Sequence, residues 1–369
     1  MGMIDRRLFT NFDWGLLILV LLIAGVGVMN ITSATASYAL VETPYQIRQI
    51  YWIVIGLIIA VLVCSIDYHL FADVAYWFYG IVLILLLVVL FMGRSTMGAT
   101  RWLHLGFIGF QPSELMKIVI IMVFARYFSS SSATPGGLTV KELLYPFLLL
   151  AAPVLFIMKQ PDLGTAILVV LIAFSMILYV GIRIRTVLSL VLAAVPAVFL
   201  GWHFYLRDYQ KARILNFLSP ERDPLGSGYH IIQSKIAVGS GGLLGKGFLQ
   251  GTQTQLRFLP EQHTDFAFSV FSEEWGFVGC LCMIALYLAL VLWGLNIARR
   301  CNDHFGGLMA VGVTAMLAWH IIINMGMVIG LFPVVGVPLP LFSYGGTSMI
   351  TSMIGLGILL NVRMRRFMF

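Results

Sequence analysis

Charged side chains are few in this sequence. Only 11% of its 369 residues are Asp, Glu, Lys or Arg, against about a quarter in a soluble domain. With 60% hydrophobic residues and a mean hydropathy of +0.95, the chain has too little polar surface to cover its apolar mass. That excludes an ordinary soluble fold and reads as a polytopic helical membrane protein. Cysteine is also scarce. Cys64, Cys280, Cys282 and Cys301 show neither a disulfide framework nor zinc-site spacing. No internal repeat and no low-complexity tract is visible. The stretch "GSGGLLGKG" lacks a Ser or Thr after Lys246 and has the wrong glycine spacing for a phosphate loop. Its glycines suit tight bending or close approach to a ligand.

What the chain has is span-length apolar runs, at roughly 14–33, 50–66, 74–92, 111–128, 143–158, 163–181, 184–203, 266–298, 306–331 and 340–361. The basic start before the first run lacks a small-residue cleavage site, so that run reads as a retained helix. The split at Gln160–Pro161 decides between ten spans and nine. With ten spans and the N-terminus inside, one side holds Arg6, Arg7, Arg126, Lys141, Arg183, Arg185, Arg299, Arg300, Arg363, Arg365 and Arg366. The short loops of the other side hold Arg48, Arg94, Arg101 and Lys159. This asymmetry favours ten spans with both termini cytoplasmic. It also accounts for the formal net charge of +7 without nucleic acid as a partner. The expected fold is an all-α polytopic membrane protein, a single transmembrane domain over 1–369. A long extracytoplasmic loop, 204–265, lies between helices 7 and 8. A loop of that length without structure of its own is usually functional.

Ionisable residues at or within spans are costly and are candidates for function. Glu114 and Lys117, in "QPSELMKIVI", are three apart and share a helix face. An internal ion pair and direct substrate contact both remain open. Lys159 and Asp162 flank "QPDLGT", where Asp162 suits a helix cap. Arg101, beside Trp102, either snorkels at the interface or meets an anionic headgroup. In "FLPEQHTDFAF", Glu261, His263 and Asp265 alternate. An extended backbone would turn all three to one side, where two carboxylates and an imidazole can hold a divalent ion. The alternative is a solvated helix entrance with Thr264 or Asp265 as N-cap. Glu273 and Glu274 follow about two turns into the helix, after apolar residues, and are hard to read as surface. In "GLFPVVGVPLPLFSYGGTSMI", Pro333, Pro338 and Pro340 forbid a regular helix. Ser343, Tyr344, Gly345, Gly346 and Thr347 then offer small polar surface. Irregular backbone at that depth must be buried in protein or line a cavity.

In order along the chain, "FQPSE" with Lys117, "QPDLGT", "GYHIIQSKIAVGSGGLLGKGF", "GTQTQLRFLPEQHTDFAFSVFSEEWG" and "PVVGVPLPLFSYGGTS" resemble the signatures of the SEDS family (shape, elongation, division, sporulation). The match covers nearly the whole length and is closer to elongation members than to division members. The resemblance implies a peptidoglycan glycosyltransferase of the bacterial cytoplasmic membrane that polymerises lipid II, a disaccharide-peptide on undecaprenyl pyrophosphate. It puts the catalytic acid on Asp265 and the family's fourth-span pair on Glu114 and Lys117. The expected chemistry is inverting glycosyl transfer on the extracytoplasmic side, with Asp265 as general base. The leaving pyrophosphate needs fixed cations or a metal ion. By location, Arg207, Lys211, Arg213, Lys235, Lys246 and Arg257 suit a polyanionic headgroup. If the metal alternative holds, the ion is a divalent cation, Mg2+ or Mn2+, for which Asp265 and Glu261 are the candidate ligands; no organic cofactor is expected. Expected partners are a class B penicillin-binding protein, as transpeptidase, and other elongation-complex membrane proteins. Two rival expectations are a lipid II flippase and a non-enzymatic scaffold. A flippase usually carries inverted repeats, and none is visible.

Overall fold

The computed structural model describes residues 12–37, 44–96, 99–105, 108–130, 137–205, 211, 215, 227–259 and 261–366. Arg6, Arg7, Arg207 and Arg213 lie outside the described residues. The helices are α1 (Trp14–Thr35), α2 (Tyr45–Ser65), α3 (His69–Met92), α4 (Pro112–Ser130), α5 (Val140–Lys159), α6 (Leu163–Val180) and α7 (Ile184–Leu200). They continue with α8 (Ser227–Ser240), α9 (Thr252–Gln255), α10 (Ala267–Arg300), α11 (His304–Val328) and α12 (Gly346–Arg365). Eight of them are long and apolar enough to cross a membrane. The charged α4 and the shorter α7 complete a bundle of about ten spans. The helix break between Lys159 and Leu163 bears out the separation of α5 from α6.

Local sequence fixes where these helices begin. Asp13 caps α1 through Leu16 N (3.2 Å), and Asp303 caps α11 through Gly306 N (2.7 Å). Thr139 and Glu142 form a reciprocal capping box on α5. α11 sits centrally, packing on α4, α6, α10 and α12. It is buried on nearly every face. α2 packs along α12, and α3 along α4.

The fold is the expected all-α membrane bundle, with one short three-stranded antiparallel meander, β1 (Arg94–Thr96), β2 (Ala99–Leu105) and β3 (Ile108–Phe110), joining α3 to α4. Three expectations need correction. The long loop is not structureless. Its α8 packs on α10 and α11, with Ser234 Oγ donating to Val328 O at 2.7 Å. The last span starts at Gly346 rather than near 340, because Pro338 and Pro340 hold the approach irregular. Finally, the 266–298 run is two helices. Gly276 (φ 62°, ψ −162°) breaks α10 into a buried first part and a longer apolar second part.

The glycine-rich segment after α8 is inserted at that break. Lys246 N and Gly247 N donate to Glu273 O and Glu274 O (both 3.0 Å), satisfying carbonyls at the end of the first part. Phe277 N and Val278 N donate to Gly242 O (2.9 Å) and Leu243 O (3.1 Å), satisfying amides that open the second part. Both sets of helix-end groups would otherwise be orphaned. The approach is close enough that a Cβ on Gly245 would sit 2.0 Å from Glu274 O, and one on Gly276 2.3 Å from Gly245 N. The glycines thus serve close backbone approach within the protein itself.

Candidate active site

A cavity of about 410 Å³ lies at the end of the bundle that carries the meander and α8. Most of its wall comes from β2 and β3 with the start of α4, the α5–α6 junction, the turn before α10, and the irregular chain between α11 and α12 with the first turn of α12, while Trp52 of α2 and His320 of α11 complete it. Arg101, Glu114, Asp162, Asp265, Tyr344, Gly345 and Gly346 all line it, so the sequence candidates from distant motifs do converge.

Asp265 sits in a turn rather than an extended strand. Thr264 N and Phe266 N both bond to Glu261 O, at 3.1 and 3.3 Å. Glu261, His263 and Asp265 therefore do not share one side. Asp265 reaches the cavity, and its Oδ2 lies 3.3 Å from where a Cβ on Gly336 would be. Glu261 accepts from Thr264 Oγ1 at 3.2 Å. His263 packs against Tyr45 and Tyr344, with ring centroids 4.8 and 5.7 Å away. Burial holds the His263 imidazole below its usual pKa, with the Glu261 charge opposing. Burial does the same to His230, which stacks on Phe266. Neither Thr264 nor Asp265 is the N-cap of α10; that position is Phe266, with no side-chain cap. Among the described residues, no three His, Cys, Asp or Glu side chains converge as a metal cage.

On the opposite wall Asp162 does two things. It caps α6 through Thr165 N (3.3 Å) and Thr165 Oγ1 (2.9 Å). It also accepts from Gln111 Nε2 at 2.9 Å and lies 3.9 Å from the Arg101 guanidinium. Arg101 donates to Pro161 O as well, which fixes it over the α5–α6 junction. Its Nε is buried without a hydrogen-bond partner.

Below them runs a buried charge network. Lys117 Nζ donates to Glu114 Oε1 at 2.7 Å and lies 2.8 Å from His320 Nε2. An ammonium has no lone pair, so Nε2 must be the acceptor and the proton sits on Nδ1, facing Pro338 O at 3.3 Å. Lys117 is fully buried and does not itself line the cavity. Glu114 does, and its second oxygen, Oε2, is buried without a partner.

Other candidates lie elsewhere. Lys246 is occupied by Glu273 (2.6 Å) and Thr252 Oγ1 (2.7 Å). Lys159 is exposed in the last turn of α5, where a cation suits the helix end. Ser343 is buried, its Oγ accepting from Leu339 N at 3.0 Å. Lys211, Lys235 and Arg257 are outside the cavity lining.

The comparisons agree with this architecture. The family model described as cell cycle protein, covering FtsW, RodA and SpoVE, matches residues 13–367. The chain belongs to the FtsW/RodA/SpoVE family. Among its relatives in that family, peptidoglycan glycosyltransferase MrdB of Escherichia coli K12 is 45% identical over 87% of this chain and 86% of its own. Peptidoglycan glycosyltransferase RodA of Treponema pallidum is 34% identical over 97% and 98%. A solved chain of a peptidoglycan synthase complex that coordinates polymerization and crosslinking superposes with a TM-score of 0.83 at 34% identity, covering 97% of this chain and 99% of that one. RodA of Thermus thermophilus superposes at 0.71 with 30% identity, over 96% and 98%. The site of this FtsW/RodA/SpoVE chain also contains residues that the sequence reading did not single out. Gln111 and Thr165, inside the quoted motifs, line the cavity with Trp52 and His320, and Asn324 stands behind Asp265. For His320 and Asn324, an isolated polar residue inside an apolar span was the available signal.

Proposed function

We propose that this cavity is where the protein, a membrane-embedded peptidoglycan glycosyltransferase, joins lipid II units into glycan strands. Asp265 is the general base. Its carboxylate accepts the proton of the acceptor sugar hydroxyl as that oxygen bonds to the donor's anomeric carbon. The bond from that carbon to the pyrophosphate oxygen breaks, and undecaprenyl pyrophosphate leaves with the electron pair. A positioned base of this kind contributes about 10²–10⁴-fold. A diphosphate leaves readily, so the second carboxyl of a hydrolase pair is not required.

The observation that carries this reading is convergence. Asp265 shares one cavity with Arg101, Glu114 and Asp162, from sequence segments over a hundred residues away. Arg101, read from the sequence as able to meet an anionic headgroup, is a guanidinium that lines the cavity and supports that role here. Glu114 Oε2 offers an unused acceptor to a sugar hydroxyl or amide N–H. Mg2+ or Mn2+ would fit here only as an ion shared between a carboxylate and substrate oxygens, as such ions commonly bind. It would offset charge on the departing pyrophosphate.

The charge asymmetry of the loops supports placing the cavity on the extracytoplasmic side of the cytoplasmic membrane, with both termini cytoplasmic. Cross-linking of the product would fall to a class B penicillin-binding protein, with other elongation-complex membrane proteins alongside. The likeness to a chain of a complex that coordinates polymerization and crosslinking supports this.

The test is polymerisation of lipid II by the purified protein and by its Asp265→Asn variant. The variant is expected to bind lipid II, keep the native melting temperature and make no glycan. Full polymerisation by a folded Asp265→Asn protein would remove the residue from this role.

A further inference from the structure

The segment 241–249 sends its polar and apolar groups in opposite directions. Its backbone is joined to the break in α10 through Gly242 O, Leu243 O, Lys246 N and Gly247 N. The Lys246 ammonium turns inward to the buried Glu273 carboxylate at 2.6 Å. Irregular backbone can occupy membrane depth when its hydrogen bonds are made within the protein. The apolar side chains turn outward: Leu243 and Leu244 are 72% and 79% exposed.

Their neighbours define what they meet. The bonds to Phe277 N and Val278 N set the two leucines beside the start of the second part of α10. There Phe277 is 61% exposed, and Val278 and Leu281 are exposed too. That face is continuous with the lipid-facing side of a span. Depth follows from helix geometry. From Phe277 to Ile297 at ~1.5 Å per residue is about 30 Å, the thickness of the hydrocarbon core. Arg299 and Arg300 then end the helix, as headgroup-level cations do. Phe277 consequently lies at the opposite boundary of the core, and the segment bonded to it shares that level. Trp275, an aromatic of the kind enriched at membrane interfaces, is exposed at the same level.

We propose that residues 241–249 form an interfacial re-entrant loop whose Leu243 and Leu244 enter the lipid bilayer at the cavity end of the bundle. The occupant of this surface is lipid, not a polypeptide. The loop anchors the first part of α10, which leads directly back to Asp265, so lipid contact sets the depth at which that carboxylate is held. The proposal does not depend on the chemistry assigned to the cavity.

The test uses the full chain alone in phosphatidylethanolamine–phosphatidylglycerol nanodiscs. Leu244→Cys and, separately, Leu243→Cys are spin-labelled after the four native cysteines are replaced. Phe277→Cys serves as lipid reference and Lys141→Cys as aqueous reference. The labels at 243 and 244 should match Phe277 in high oxygen and low nickel-chelate accessibility. Nickel accessibility like that of Lys141 would overturn the proposal. So would shielding from both reagents, which would indicate protein cover. The unmodified chain gives an independent reading by photo-crosslinking to a diazirine phospholipid. Adducts on the Leu243–Leu244 peptide are expected, and adducts confined to the spans would overturn the proposal.

Discussion

One amide group of Asn324 holds both Asp265 and Val337. Its Nδ2 donates to the Asp265 carbonyl at 2.9 Å and to the Val337 carbonyl at 2.7 Å. Two walls of the cavity, 72 residues apart in sequence, are thereby fixed from the buried face of α11. The amide cannot turn over without aiming its oxygen at two carbonyl oxygens. Asn324→Leu keeps the branched heavy-atom skeleton and removes both donors. A displacement of about 1 Å at a reacting group can cost 10²-fold, so kcat should fall by about that factor with KM for lipid II little changed. A lowered melting temperature with kcat unchanged would show a purely structural role.

The pair Glu114–Lys117 invites a stability measurement. Both are buried, with Nζ and Oε1 2.7 Å apart and His320 completing the ammonium's contacts. Lys117→Met leaves the Glu114 carboxylate unpaired and should cost ~3–5 kcal/mol of stability. The double variant Glu114→Gln, Lys117→Met should recover most of that, since no lone buried charge remains. Thermal unfolding of the purified proteins in detergent checks both. A single variant as stable as the wild type would show that the pair is not the buried network described here.

How much was legible in the sequence differs between bundle and site. The spans were readable because a helix crossing lipid must be apolar for about 20 residues, and Pro161 with Asp162 marks a stop and a cap. The break in α10 was not, because a lone glycine such as Gly276 is tolerated inside a helical pattern and gives no stop signal of its own. Only the insertion of Gly242–Gly247 reveals it. Glu114, Asp162 and Asp265 stood out as charges where charge is costly. Their convergence is a property of packing, which periodicity does not encode. The alternation of Glu261, His263 and Asp265 misled, since period two means one face only in an extended chain. The segment is instead a turn closed on Glu261 O.

A pH effect on stability follows from His263. Burial lowers its folded pKa, the Glu261 charge opposes, and Tyr45 and Tyr344 enclose the ring. A depressed folded value means that the unfolded chain binds more protons just below its own pKa of about 6.5. The contribution is complete above that value and declines as pH falls through it. Melting temperature should therefore drop between pH 7 and pH 5, and less steeply in His263→Gln. Equal slopes in the two proteins would show that this imidazole stays neutral in both states or is matched by another group.

The junction at Gly276 makes the sharpest test of how α10 is built. Its φ of 62° and ψ of −162° lie in a region that is essentially restricted to glycine. A Cβ there would also meet Gly245 N at 2.3 Å. Gly242 has a φ of 55° but open space around its Cβ position. Gly242→Ala should therefore cost only the ~1–2 kcal/mol of a left-handed residue. Gly276→Ala adds a backbone clash and should cost at least ~3 kcal/mol, since relief requires the inserted loop to leave the helix break and orphan its amides and carbonyls. Because the first part of α10 begins two residues after Asp265, polymerisation by Gly276→Ala should fall further than by Gly242→Ala, even where both proteins remain folded. Comparable losses in melting temperature and rate for the two variants would mean that the two parts of α10 do not depend on the inserted loop.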